Sequence, residues 1–154
     1  MTTTTKSPIT VLMSTYNGER FLREQMDSIL KQQDVDVRVL VRDDGSKDNT
    51  LPILEDYRQC GQADYYTGPN MGPAYSFLDL LRQAPDSDYY AFADQDDVWL
   101  SDKLCIAVRH LQKAADQPAL YFSRTQLVDE HLSPLPHHLS PLNPYLTFGE
   151  SLIY

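Results

Sequence analysis

Five short apolar runs recur along the chain, and three of them stop abruptly at polar or acidic side chains. "ITVLMSTYN" (Ile9–Asn17) ends in hydroxyls and an amide. "VDVRVLVRDDGS" (Val35–Ser46) ends at Asp43 and Asp44, and "DYYAFADQDD" (Asp88–Asp97) ends at Asp94, Asp96 and Asp97. "ADYYTG" (Ala63–Gly68) is a shorter strand candidate, and "PALYFSRTQLVD" (Pro118–Asp129) reads as a last one. Between the runs the apolar period changes to that of a helix. Leu22, Met26, Ile29 and Leu30 share one helical face; so do Ala74, Phe77, Leu78 and Leu81, and again Leu104, Ala107, Val108 and Leu111. "KDNTLPILEDYRQ" is a further helix, capped near Asp48 to Thr50, with Pro52 tolerated in its first turn; Ser101 or Asp102 caps the last helix. Strands alternating with helices mean βαβ crossovers and a mainly parallel sheet flanked by helices.

That architecture carries a positional consequence. In an open α/β sheet, ligands sit outside the carboxyl ends of the strands. The hydroxyl-rich end and the two acidic ends are therefore expected to meet along one edge, although they lie far apart in sequence. The 154 residues suffice for one domain, with a core over about 8–130. The segment 131–154 changes character, with Pro134, Pro136, Pro141 and Pro144 in an irregular stretch.

Charge narrows the ligand. With 13 basic and 22 acidic residues the net charge is −9, which argues against a nucleic-acid partner and against an electrostatic anchor on anionic lipid. An acidic protein still binds an anion when a cation supplies the positive end. Asp94, Asp96 and Asp97 are crowded enough to need one: two carboxylates ~4 Å apart repel by roughly 4 kcal/mol at an effective dielectric near 20. Mg²⁺ or Mn²⁺ removes that repulsion, taking carboxylate oxygen and sharing the rest of its shell with phosphate. The plainer reading is an acidic turn leading into the next helix. If strand geometry persisted, Asp94 and Asp96 would point one way and Asp97 the other.

The other polar ends have paired readings too. "DDGSKDNT" is good turn and cap chemistry, or else Asp43, supported by Asp44, accepts hydrogen bonds from a base or ribose. Ser14 and Thr15 offer hydroxyls and Tyr16 a flat ring for a base, although Tyr16 reads equally as core. Gly68 and Gly72 in "GPNMGP" permit close approach of backbone to a ligand, and Asn70 both donates and accepts. There is no G-x-G-x-x-G and no P-loop. His110, His131, His137 and His138 lack catalytic company, the last two reading as solvated; Cys60 and Cys105 read as reduced, partly buried thiols. No signal peptide and no membrane-length apolar stretch is visible, so the expected location is cytoplasmic, reaching the inner face of a membrane only through partners.

Taken in order, "VLMSTYNGERFLREQMDSILKQ", "VRDDGSKDNT", "GPNMGPAYSF" and "FADQDDVWLSDKL" resemble the family 2 glycosyltransferases, inverting enzymes of GT-A fold that use nucleotide-diphosphate sugars. "DQDDVW" and "ALYFSRTQLVDE" are most similar to the rhamnosyltransferase-type branch of bacterial polysaccharide assembly. The resemblance implies that Ser14, Tyr16 and Asp43 hold base and ribose with Asp44 beside them. It implies that Asp94 contacts ribose or sugar near the metal and that Asp96 ligates Mn²⁺ or Mg²⁺. The full candidate set is Ser14, Thr15, Tyr16, Asn17, Asp43, Asp44, Asn70 and Asp94 for a UDP- or dTDP-sugar, and Asp96 with Asp94 for the metal. Asp97 is expected to act from behind these, and Trp99 lines the sugar or acceptor pocket or packs beneath the loop. The acceptor would be a glycan or lipid-linked saccharide, and an open sheet edge would allow pairing with a second copy. The family's acceptor base lies farther along than Tyr154, so the chain is expected to be the donor-binding part, inactive alone. Two rivals stand beside this reading. One is a nucleotide-sugar-binding module without catalysis. The other is a haloacid-dehalogenase-like phosphatase, whose D-x-D-x-[TV] motif fits Asp94 as nucleophile and Asp96 as acid/base, but normally heads the first strand.

Overall fold

The computed structural model describes residues 6–114 and 117–135. Its contacts divide the chain into a compact unit up to Ala119 and a second unit from Leu120. The first unit alternates strands and helices as the sequence periodicity predicts. In order they are β1 (Ser7–Thr15), α1 (Leu22–Leu30), β2 (Val35–Asp43), α2 (Thr50–Gln59), β3 (Asp64–Thr67), α3 (Pro73–Gln83), β4 (Tyr89–Ala93) and α4 (Lys103–Leu111), closed by a short 3₁₀ turn over Gln112–Ala114. The strands form one parallel sheet in the order β3-β2-β1-β4.

Position in the sheet explains composition. β1 is central, and Ile9 to Met13 are buried without interruption, as expected for a parallel strand covered on both faces. β3 and β4 are the edges, and their side chains are only partly covered. On one face Ile9, Val11, Met13, Val39 and Val41 pack with Leu22, Met26 and Ile29 of α1, Ile53 and Leu54 of α2, and Leu104 and Val108 of α4. On the other, Leu12 packs with Phe77 and Leu80 of α3, where Phe77 and Phe92 meet edge to face at 5.3 Å. Each such side chain, fully withdrawn from water, contributes roughly 1.5–3 kcal/mol.

Several details differ from the periodicity. α3 buries Ser76, Phe77 and Leu80, while Ala74, Leu78 and Leu81 stay exposed. The helix is turned inward on its polar side because Ser76 and Asp79 bind Arg42 of β2. α4 begins at Asp102, which makes no side-chain cap; Gln32, just beyond the end of α1, accepts the Leu104 N–H at 2.9 Å instead. At α2, Asp48 does take the capping role, accepting the Thr50 N–H at 3.0 Å from one residue before the formal cap. Cys60 is exposed and Cys105 buried, both free thiols.

In the second unit the anticipated last strand is absent among the described residues. Leu120, Phe122 and Leu127 remain exposed, and among the described residues of this unit the only strand-like pairing is an isolated bridge between Val128 and Pro134 around a turn held by Asp129. An apolar run becomes a strand only where a partner edge takes its backbone groups. His137, His138 and the later prolines lie outside the described residues.

Candidate functional site at the carboxyl edge of the sheet

Strand register brings the polar ends level. Thr15 lies opposite Asp43, Asp43 opposite Thr67, and Met13 opposite Ala93. The loops that follow all four strands leave from this one edge and are bonded to one another. The Asp44 N–H donates to the Thr15 carbonyl at 2.9 Å, and the Gly68 N–H to the Asp43 carbonyl at 2.9 Å. Chain order reverses between β1 and β4, so the crevice of an open α/β sheet falls between the Tyr16 loop and the acidic loop. The anticipated convergence of Ser14–Asn17, Asp43–Asp44 and Asp94–Asp97 is therefore present.

The five acids at this edge divide into two chemical kinds. Asp43 is completely buried. Its Oδ1 accepts the N–H groups of Gly45 and Ser46, and its Oδ2 accepts the hydroxyls of Thr15 and Ser46. A carboxylate offers about four lone-pair sites, and all four are filled. Asp44 pairs with the Arg42 guanidinium through Oδ1, which also accepts the Ser76 hydroxyl at 3.0 Å; Oδ2 accepts the Met71 N–H at 3.1 Å. One acceptor position remains, on Asp44 Oδ2. Sequence reasoning favoured Asp43 as the nucleoside acceptor, but the geometry leaves spare capacity on its neighbour. Asp43 can engage a ligand only by giving up one of its internal bonds.

Asp94, Asp96 and Asp97 are the second kind. β4 stops at Ala93 and the chain turns at Gln95–Asp96, so the strand-like alternation assumed for these side chains does not hold. Among the described residues no hydrogen bond or salt bridge engages any of the three carboxylates. Partial desolvation, then the charges of Asp97 and Asp96, push the Asp94 carboxyl above its ordinary range. Desolvation does the same to Asp97 against the pull of Lys103. Lys103 lies with its ammonium 4.7 Å from the centre of the Trp99 ring, and desolvation lowers its own pKa. Trp99 is buried in the core, its backbone N–H donating to the Ser28 hydroxyl at 3.0 Å; it supports the acidic loop from beneath.

No group of three or more His, Cys, Asp or Glu side chains among the described residues is arranged to hold a metal ion. A cage made wholly of protein ligands is thus absent. The donor set still fits a hard cation that takes one or two carboxylates and completes its shell from phosphate and water. The protein spends its donors on Asp43 and Asp44 and leaves Asp94 and Asp96 bare.

The remaining candidates are spread around the crevice. Ser14 donates to the Ser76 hydroxyl at 2.8 Å, and Thr15 is buried against Asp43. The Tyr16 residue is 47% exposed, so it is not core. Asn17, at φ +50°, accepts the Lys47 N–H through Oδ1 while its own N–H donates to the Ser46 hydroxyl. Asn70 is exposed, and its Oδ1 accepts the Gly72 N–H at 3.2 Å. Sequence reasoning did not single out Arg42, Ser76, Ser46 or Gln95 as site residues. An arginine facing inward from a strand, immediately before two acids, was the available signal for the first. A groove of about 300 Å³ lies between α1 and the Val98–Ser101 segment; Trp99 lines it, but none of the nucleotide-sugar or metal candidates does.

Comparison with known proteins gives this edge its context. The profile of "Glycosyl transferase family 2" matches residues 10–150. The chain belongs to glycosyl transferase family 2. It is 33% identical over 131 residues to dTDP-rhamnosyl transferase RfbG of Shigella flexneri, covering 77% of this chain and 45% of that protein. It is 31% identical over 101 residues to the putative teichuronic acid biosynthesis glycosyltransferase TuaG of Bacillus subtilis, covering 64% of this chain and 40% of that protein. Among solved structures, S. aureus TarS 1-349 in complex with UDP superposes with a TM-score of 0.62 at 30% identity, over 69% of this chain and 32% of that one. The mannosyltransferase PcManGT of Pyrobaculum calidifontis, solved with GDP-Man and Mn²⁺, superposes at 0.60 with 25% identity, over 70% of this chain and 33% of that one. The family 2 chain thus has the α/β sheet of GT-A glycosyltransferases, and it spans under half the length of these relatives.

Proposed function

We propose that this family 2 chain is the donor-binding part of an inverting, divalent-metal-assisted glycosyltransferase. Its donor is a UDP- or dTDP-sugar and its acceptor a glycan or lipid-linked saccharide. The observation that carries this reading is the pair of bare carboxylates, Asp94 and Asp96, at the β1/β4 switch point directly beside the exposed Tyr16. The dTDP in the name of the rhamnosyl transferase relative supports the dTDP-sugar among these donors.

Each residue has a physical role on this reading. Tyr16 offers its ring to the base, and Asn70 and the spare lone pair of Asp44 Oδ2 offer hydrogen bonds to base or ribose. Asp43, with Thr15 and Ser46, holds the loop backbones in place. Asp94 and Asp96 would hold Mn²⁺ or Mg²⁺. The cation, when bound, neutralises charge that develops on the departing nucleotide. Asp97 and Lys103 set the charge balance behind them. The carboxylate that deprotonates the acceptor is assigned to sequence beyond these residues, since the chain covers 45% of the rhamnosyl transferase. Among the described residues no helix is long and apolar enough to cross a membrane. The phosphatase alternative is not favoured: its acid pair would head the first strand, whereas here it follows an edge strand that comes fourth in the chain.

The test is a thermal-shift series with UDP, dTDP and GDP, each with Mn²⁺ or with EDTA. The melting temperature is expected to rise with UDP or dTDP only when the metal is present, and Asp96→Ala is expected to erase the rise. An equal shift in EDTA would refute the metal role.

A further inference from the structure

Within the acidic loop, Gln95 has the one side chain that makes hydrogen bonds among the described residues, and both go to the backbone of Tyr16 across the crevice. The Tyr16 N–H donates to Oε1 at 2.9 Å, and Nε2 donates to the Tyr16 carbonyl at 3.2 Å. A primary amide presents one acceptor and one donor side by side, matching the donor and acceptor of a single residue in extended chain. Ladder pairing between β1 and β4 ends at Met13 and Ala93. Gln95 therefore takes the place of the next rung, made by a side chain where the two backbones have diverged.

The fit is tight on the far side. A Cβ at position 18 would stand 2.4 Å from Gln95 Oε1 and 2.8 Å from its Cδ, distances that real Cβ atoms do not show. Gly18 is not held at positive φ. A side chain at position 18 would therefore displace the Gln95 carboxamide from its place. Two positions 77 residues apart in sequence thus serve one contact. Asp94 and Asp96 flank Gln95 in the chain, while Tyr16 carries the ring.

We propose that Gln95 is a positioning residue that couples the two ends of the donor site, fixing the Tyr16 loop relative to the carboxylates that face the diphosphate. This rests on the nucleotide-sugar reading above. Placing a cation between Asp94, Asp96 and a diphosphate draws the acidic loop into one arrangement. The amide fork transmits that arrangement to the ring and main chain of Tyr16. Metal and nucleoside then favour the same loop geometry, so each raises affinity for the other, typically by roughly 5–150-fold for a coupling of this kind. Without the fork each end still binds, and only the linkage carried by the cation's own attraction for the diphosphate remains.

The experiment measures UDP and dTDP dissociation constants by titration calorimetry on the full chain, in Mn²⁺ and in EDTA, and takes their ratio as the linkage. Wild type is compared with Gln95→Met, which keeps length and loses the fork, with Gly18→Ala, which displaces the carboxamide and leaves every acid in place, and with the double variant. Wild type is expected to show a ratio well above one. Each single variant should lower it at least about fivefold, and the double variant should fall no further than the lower single, because both break one contact. Far-ultraviolet circular dichroism and urea unfolding of the free proteins check that the fold persists. A merely structural role for Gln95 would shift affinity equally in Mn²⁺ and EDTA and leave the ratio unchanged, which overturns the proposal while the donor-site reading stands. A wild-type ratio of one overturns both.

Discussion

Arg42 offers the sharpest test of how the edge is built. Its side chain is 2% exposed, and it joins Asp44, itself 4% exposed, to Asp79, which is 30% exposed. It also donates to the Ser76 hydroxyl at 3.2 Å and to the Pro69 carbonyl at 3.1 Å. Arg42→Met keeps the bulk and removes the charge. Asp79 would then turn to water and keep its bond from the Tyr66 hydroxyl, so that half of the network contributes at most ~1 kcal/mol. Asp44 has no such exit. It would remain buried with only the Ser76 hydroxyl and the Met71 N–H for partners, and removing one member of a buried pair costs about 3–5 kcal/mol. The expected loss is therefore about 4 kcal/mol, a large part of a stability of roughly 5–15 kcal/mol. With a urea slope near ~2 kcal/mol/M this moves the midpoint down by about 2 M. Trp99, the only tryptophan of the sequence and buried, reports the transition by fluorescence. In an Asp44→Asn background, Arg42→Met should cost only ~1–2 kcal/mol, because the orphaned charge is gone while the amide oxygen still accepts from Met71. A loss under about 1 kcal/mol in the single variant, or strict additivity of the pair, would show that the burial argument for Asp44 is wrong.

Two other perturbations separate crowding and charge at the same edge. Gly68→Ala would place a Cβ 2.5 Å from the Arg42 guanidinium and is expected to cost ~1–3 kcal/mol in urea unfolding, whereas Gly72→Ala meets no atom and carries only the strain of φ +80°, ~1 kcal/mol. For Asp94 the sign runs from the proton. Desolvation and its acidic neighbours raise the folded pKa above the ordinary 3.8, so the native state holds that proton more tightly than the unfolded chain. Stability is therefore lost as pH rises from 3.8 through the raised value, and the penalty is complete above it. Asp94→Asn should accordingly unfold at higher urea than wild type at pH 7, with the difference closing below pH 3.8; equal midpoints at neutral pH would contradict the shift.

The alternation of apolar strands with amphipathic helices fixed the parallel α/β class, because period two and period 3.6 are properties of neighbouring residues and need no tertiary information. The same reading located the ligand edge, since a parallel sheet sends every strand's carboxyl end the same way. Ile9–Asn17, Val35–Ser46 and Asp88–Asp97 were legible on that ground alone. The face of α3 was not, because Ser76 and Asp79 turn inward only in the presence of Arg42, a partner more than thirty residues away. Nor was the last apolar run, 118–129, where no neighbouring strand meets it among the described residues.

The candidate acids show the division most clearly. By itself the sequence determined which carboxylates reach the carboxyl edge: Asp43, Asp44, Asp94, Asp96 and Asp97. Only the tertiary structure decided what each is free to do. Asp43 and Asp44 meet donors of Thr15, Met71 and Ser76 from three other segments, besides the buried guanidinium of neighbouring Arg42 and the Gly45–Ser46 turn, while Asp94 and Asp96 meet none. A side chain's valence belongs to its residue type, but the number of lone pairs left over depends on which distant donors the fold delivers.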